Sequence, residues 1–249
     1  MKNVGESGAR NRAFEEKYTR EKVIQEVVGG GRVVLFDIGA HFGESVTYLR
    51  ELFPESQILS FEPDPDSFGT LSSQRIPDVR YYNLAFCDRD GEMAFYKNRI
   101  SHTNSLLKVN PRSRDSIAFT KARDEQRTDI FREVNEAIQV PTARLDSFCR
   151  ANEVEHIDLL KIDVQGAERL VLEGASEILE KTKVVVLEIS FYDYYEQNSS
   201  FSDIERFLHP PGFRLFSISE ISNNPMNGRT DWAEVIYTKP DSSGGKGKT

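Results

Sequence analysis

The run Val33-Val34-Leu35-Phe36-Asp37-Ile38-Gly39-Ala40-His41-Phe42-Gly43-Glu44-Ser45 constrains this chain more than any other segment. Its apolar stretch leads into an acid, a glycine-spaced turn and a helical pattern. About one βα unit later, Ile58-Leu59-Ser60-Phe61 ends in Glu62. A strand, a tight turn, a helix and a second strand ending in an acid make the opening of a nucleoside-binding α/β domain. A glycine-containing βα turn beside an exposed acid is the plainer alternative; the spacing of turn and acid favours the nucleoside site.

The turn also discriminates between nucleosides. A dinucleotide site wants glycines at the first, third and sixth positions, so that backbone amides and the helix N-terminus face a pyrophosphate. Here Gly39 is followed by His41 and Glu44 at the other two positions. A carboxylate in the first helical turn repels a diphosphate and occupies the positive end of the helix dipole. S-adenosylmethionine (SAM) carries a sulfonium cation and no phosphate, so Asp37 and Glu44 are tolerable beside it. Glu62 can accept hydrogen bonds from both ribose hydroxyls.

The 249 residues suffice for one large α/β domain, read as residues 13–240, and no Pro/Gly/Ser linker divides them. With 40 acidic against 32 basic side chains the net charge is −8, which opposes loose binding to nucleic acid and favours a small-molecule partner. Two cysteines, Cys87 and Cys149, cannot build a disulfide framework, and no apolar run reaches signal or membrane-span length. These features predict a soluble, cytoplasmic protein. Residues 1–12 and 241–249 have tail composition and are expected to be disordered.

Along the chain, Phe14 to Val28 reads as one amphipathic helix stopped by Gly29-Gly30-Gly31, and Glu44 to Phe53 as the first crossover helix. Gln57 to Phe61 and Val79 to Cys87 read as strands flanking a helix from Pro65 to Gln74. Asp90-Gly91 signals a hairpin into Met93 to Tyr96. A polar insertion, about 99–136 with one helix near Ile117 to Val134, has the character of a lid. Alternation resumes with a short strand Ala137 to Pro141, a helix Leu145 to Ala151, a strand Ile157 to Ile162, a helix Ala167 to Lys181 and a strand Val184 to Ile189. Phe201 to Leu208 is helical, and Phe213 to Ser219 and Glu234 to Thr238 close the pattern as strands. Such alternation implies a mostly parallel sheet with right-handed crossovers.

Ligand sites in open α/β sheets lie at the carboxyl ends of strands, where Asp37, Glu62, Asp163 and Glu188 all fall. Lys161 and Asp163 are costly on a central strand unless paired, and an ion pair of Lys161 with Glu188 is one way to satisfy them. Asp163 and Glu188 could instead offer hard oxygen ligands to Mg²⁺. His41 is a candidate general base or a cap donor. Residues 97–132 carry nine basic side chains against four acids, either an anion clamp or a solvated helix face. Phe191, Tyr192, Tyr194 and Tyr195 are either a stacking platform for a flat apolar group or core.

Several segments together resemble the FkbM family of SAM-dependent methyltransferases. They are residues 36–43, Phe61-Glu62-Pro63, Asn83-Leu84-Ala85, Thr142 to Phe148, Ile157 to Glu168 and Leu172-Glu173-Gly174-Ala175. The block Ile157-Asp158-Leu159-Leu160-Lys161-Ile162-Asp163-Val164-Gln165-Gly166 is the specific one, and the likeness covers roughly residues 33–190. The resemblance implies a single Rossmann-like class I domain whose seven-stranded sheet has its last strand antiparallel. It further implies methyl transfer to an oxygen, often a sugar hydroxyl of a natural product or surface glycan. Carried over residue by residue, Asp37, Gly39, Ala40 and Gly43 would shape the methionine side of the cofactor site and Glu62 would hold the ribose. Asn83 and Ala85, with Asp88 nearby, lie where the adenine is expected. Asp163 and Glu188 match acids near the reacting centre, as bases or metal ligands. A nicotinamide-dependent oxidoreductase and a non-catalytic SAM-binding module stay open as alternatives.

Overall fold

The computed structural model describes residues 4–110, 113, 135–225 and 228–240. Ten strands build two sheets: β1 (Val34–Ile38), β2 (Gln57–Phe61), β3 (Val79–Tyr82), β4 (Ala85–Phe86), β5 (Gly91–Lys97), β6 (Glu136–Ala143), β7 (Ile157–Ile162), β8 (Thr182–Ser190), β9 (Arg214–Asn223) and β10 (Thr230–Thr238). The main sheet runs β3-β2-β1-β7-β8-β10-β9. Its first five strands pair in parallel, while β10 is antiparallel to both neighbours. The order reverses between β1 and β7, which opens a crevice at the carboxyl ends of those strands. The expected seven-stranded, mostly parallel sheet with an antiparallel last strand is therefore present.

Helices α1 (Val4–Lys17), α2 (Arg20–Val28), α3 (Glu44–Leu52), α4 (Pro65–Ser73), α5 (Leu145–Ala151), α6 (Glu168–Glu173) and α7 (Phe201–Leu208) accompany the strands. Two apolar layers sandwich the sheet. One contains Phe36, Phe61, Leu160, Leu187 and Tyr237, and the other contains Leu35, Ile58, Leu159, Val186 and Ile236. Successive strand residues point to opposite faces, so each parallel strand feeds both layers and reads as a nearly unbroken apolar run.

Five local expectations need correction. The single helix from Phe14 to Val28 is two helices, because Thr19 is extended and its side chain caps α2 by accepting from the Lys22 amide at 3.4 Å. Upstream, α1 occupies residues read as tail; Ala9, Arg10, Ala13, Glu15, Glu16 and Lys17 are good helix formers. The stretch from Val79 to Cys87 divides between the two sheets at Asn83, whose amide group donates to the carbonyls of Glu62 (2.8 Å) and Pro63 (3.0 Å).

No hairpin forms at Asp90-Gly91. Instead β6 lies between β4 and β5, parallel to one and antiparallel to the other. Asp90 is engaged elsewhere, accepting from the Arg144 amide (2.8 Å) and the Ser147 hydroxyl (2.9 Å) at the start of α5. Finally, the helix expected over Ala167 to Lys181 stops at Glu173 and resumes as a 3₁₀ turn, Ile178–Lys181. A Cβ on Gly174 would sit 2.1 Å from the Cys87 carbonyl oxygen, so only glycine lets the helix end this close to the residue after β4.

The insertion is only partly described. Residues 98–110 form a 3₁₀ turn at Ser101–Thr103 and a strap that bridges to β5 through Tyr96 and Ser105. The helix expected near Ile117 to Val134, most of its basic side chains, and residues 241–249 lie outside the described residues.

Candidate functional site

Two cavities open along the carboxyl rim of the main sheet. The first, about 630 Å³ including space open to solvent, lies over the ends of β1 and β2 and under the strap. That volume is in the range of ligand sites. Gly39 forms its floor at φ +85°, and a Cβ there would meet the Asp163 carbonyl oxygen at 1.8 Å, so only glycine fits. The amides of Gly39 and Ala40 both donate to the Phe61 carbonyl at 3.0 Å, locking the turn onto the end of β2.

Glu62 stands on the cavity wall. One carboxylate oxygen accepts from the His41 amide and the other from the Asp64 amide, each at 2.8 Å. Burial raises its pKa to about 7, against the lowering effect of those two amides. Each oxygen keeps a lone pair for a ligand hydroxyl. Leu84, Ala85, Phe86, Phe95 and Leu106 give the rest of the wall an apolar character, which suits a flat, uncharged ring. An acid bound at both oxygens, a floor that tolerates only glycine and an apolar wall together fit the adenosyl portion of SAM.

Of the remaining predicted cofactor residues, all but Ala85 stand behind this wall. Asp37 is fully buried, accepts from the Ser45 hydroxyl at 2.6 Å and lies 3.4 Å from the Lys161 ammonium. Ala40 packs in the apolar layer beneath, and Gly43 begins α3 at φ +99° against Leu71 and Gln74. Asn83 fixes the end of β2 through its two backbone contacts, and Ala85 faces the cavity. His41, at φ +50°, lines the cavity with its Nε2 2.9 Å from the Ser101 hydroxyl and its Nδ1 3.8 Å from Glu44.

The second cavity, about 480 Å³, lies over β7, β8 and β10. Among the described residues, Asp163 is the one that lines both. Gln165 donates to its Oδ1 at 2.9 Å, and Lys161 lies 3.4 Å from its Oδ2. Lys161 therefore pairs with Asp37 and Asp163, not with Glu188. The register sets Lys161 opposite Asp37 on one side and Val186 on the other, leaving Glu188 two residues further along β8. Burial lowers the Lys161 pKa, but the two carboxylates outweigh it and hold the ammonium charged. Burial first, then Asp163 and Glu168, push Glu188 up to about 9, so it carries its proton at neutral pH. The Glu188 carboxyl makes no side-chain hydrogen bond or ion pair with the described residues.

Of the four aromatic residues after β8, the three tyrosines are core and Phe191 is exposed. Tyr192, Tyr194 and Tyr195 are buried around Val109, and the Tyr195 hydroxyl donates to the Thr103 carbonyl at 2.9 Å, tying the strap to the rim. Among the described residues no group of three or more His, Cys, Asp or Glu side chains is arranged to hold a metal ion. No helix among them is long and apolar enough to cross a membrane. Residues missed in the sequence include Ser101 and Gln165, and on the second cavity Arg20, Trp232 and Glu234. The last three arrive from elements remote in sequence from the motifs; only the single tryptophan was a usable signal.

The sheet order and the glycine turn after β1, with an acid following β2, define a class I SAM-dependent methyltransferase fold. A model of the methyltransferase FkbM domain matches residues 37–215, and the chain belongs to that family. It is 30% identical over 165 residues to the 2-O-methyltransferase NoeI of Sinorhizobium fredii, an alignment covering 66% of this chain and 65% of that protein. It is 26% identical over 189 residues to Methyltransferase 1 of Beauveria bassiana, covering 73% and 72%. To the hexuronic acid methyltransferase AglP of Haloferax volcanii it is 25% identical over 159 residues, covering 63% and 55%.

Proposed function

We propose that this protein transfers a methyl group from SAM to a hydroxyl of a small molecule, most favourably a sugar. The observation that carries the reading is Asp163, whose carboxylate stands on the wall shared by a nucleoside-shaped cavity and a polar one. The names of NoeI and AglP support an oxygen acceptor on a carbohydrate. When bound, SAM supplies an electrophilic methyl on its sulfonium.

Gly39, Glu62 and the apolar wall would hold its adenosyl end, while Asp163 meets the acceptor from the other cavity. With the acceptor oxygen held against the electrophilic methyl, the Asp163 carboxylate would take the hydroxyl proton. Lys161 and Gln165 orient that carboxylate. Glu188, protonated, is suited to donate a hydrogen bond to the acceptor rather than to take its proton, and His41 is held by Ser101 as a wall residue. Asp163 and Glu188 would be the ligands of any Mg²⁺ that activated the hydroxyl, but they fit it poorly: Lys161 already stands beside Asp163, and burial favours the protonated form of Glu188.

Calorimetric titration with S-adenosylhomocysteine (SAH) tests the cofactor half of this reading without knowledge of the acceptor. Stoichiometric binding is expected, and its absence from a folded sample would overturn the methyltransferase reading. Activity that is lost in chelator and restored by Mg²⁺ would move Asp163 and Glu188 to the role of metal ligands.

A further inference from the structure

The second cavity has a composition that the chemistry of methyl transfer alone does not require. Trp232, the chain's only tryptophan, begins the described wall on β10, where it pairs with Ser190 across β8. Side chains two apart on a strand share a face, so Trp232 lies on the same face as Glu234, and its strand neighbour carries Glu188 two residues from Val186 on that face as well. The indole, Glu188 and Asp163 thus line one cavity next to the cofactor space.

The cations of this cavity are already paired. Arg20 reaches in from α2, pairs with Glu234 and lies 3.5 Å from Glu220. The Ser219 hydroxyl donates to Glu234 at 2.6 Å. Lys161 is shared by Asp37 and Asp163. Both cations therefore have carboxylate partners, and the wall carries the acids Asp163, Glu188, Glu220 and Glu234 against Arg20 and Lys161. An anionic ligand would meet acids and cations that are already engaged. A neutral polyol meets many hydrogen-bonding groups and one broad apolar face, the two surfaces that a sugar ring presents.

We propose that this cavity is the acceptor subsite and that it takes an uncharged sugar, whose ring lies against the Trp232 indole while its reacting hydroxyl faces Asp163. The proposal rests on the methyltransferase reading and specifies its substrate. It assigns Trp232 as a residue that binds and orients the acceptor without touching the cofactor.

Because Trp232 is the sole tryptophan, its emission reports this cavity directly. The full-length protein, saturated with SAH, would be titrated with the methyl glycosides of glucose, mannose, fucose and glucuronic acid. A saturable change in emission with at least one neutral glycoside, and none with the glucuronide, is expected. Trp232→Ala should retain SAH affinity within about twofold, while KM for the responding sugar rises about tenfold, the scale of one lost aromatic contact plus its buried area. SAH binding without any emission change from the neutral glycosides would overturn the subsite, as would a Trp232→Ala enzyme with unaltered acceptor KM. A response to the glucuronide alone would overturn the assignment to an uncharged sugar. Failure of the folded wild-type protein to bind SAH would instead defeat the underlying reading, so the two failures are separable. If Trp232→Ala does not fold, the wild-type titration still decides.

Discussion

The two cavities on the rim are built by different means. The first cavity, over β1 and β2, is fixed by backbone: a glycine at φ +85°, two turn amides on the Phe61 carbonyl, and two more amides on Glu62. The second cavity is made by side chains delivered from α2, β7, β8, β9 and β10. A site shaped by backbone is rigid and intolerant of single atoms, whereas one shaped by long side chains can trade charges and accept different ligands. The first should fail abruptly when altered, and the second by degrees.

Gly39→Ala should have the largest effect. Its Cβ would lie 1.8 Å from the Asp163 carbonyl oxygen at a positive φ, so SAH binding should vanish and stability fall by at least about 2 kcal/mol. Calorimetry and denaturant melts check both. A Gly39→Ala protein that binds SAH normally would break the contrast at its root.

Asp163→Asn comes next, because Asp163 belongs to both cavities. Turnover should fall by about 100-fold or more, the usual scale for a lost general base, with SAH affinity held within about threefold. Unchanged turnover would remove Asp163 from the proton-transfer role.

Glu62→Ala should weaken SAH binding by about 10- to 100-fold, the loss of charge-assisted hydrogen bonds in a buried site. In the wild-type protein SAH should bind more tightly as pH rises through about 7, where the raised Glu62 carboxyl loses its proton and gains acceptor capacity. Affinity that is flat from pH 6 to 8 would argue against Glu62 as the ribose acceptor.

Glu188→Gln should give the mildest effect and the most specific one. The folded state keeps a proton on Glu188 up to about pH 9, whereas an unfolded glutamate loses it near its ordinary pKa of about 4.3. The native state thus binds more protons across that window, and stability falls as pH rises through it. Glu62 and Glu168, each raised to about 7 by burial, add to the lower part of the slope. Between pH 7 and 9 the decline in Tm should be shallower in Glu188→Gln than in the wild-type protein. Parallel Tm profiles for the two would show that Glu188 ionises normally.

What could be read in the sequence follows the same division. The turn from Asp37 to Gly43, the acid Glu62 and the order of parallel strands were legible because hydrophobic runs, glycines and strand-terminal acids act over short stretches of chain. The pair of Lys161 with Glu188, one way the sequence offered to satisfy the charge, does not form because register, which the sequence pattern does not supply, sets Asp37 opposite Lys161. The false hairpin at Asp90-Gly91 has a similar origin: the dipeptide is a good turn signal, but β6, arriving some forty residues later, took the place between the strands. The tyrosines after β8 left two readings open, and only the strap at Val109 and Thr103 made them core.

The sequence by itself determined the sheet class, the nucleoside turn and the acid that ends β2, since each depends on local backbone preference and the burial of a contiguous apolar run. Only the tertiary structure decided that Asp163 stands between two cavities, that Arg20 and Trp232 line the second, and which charges are matched there. Those relations join residues up to 214 positions apart, as in the contact of Arg20 with Glu234. Contacts at such separation come from strand register and helix docking, not from any local preference of the chain.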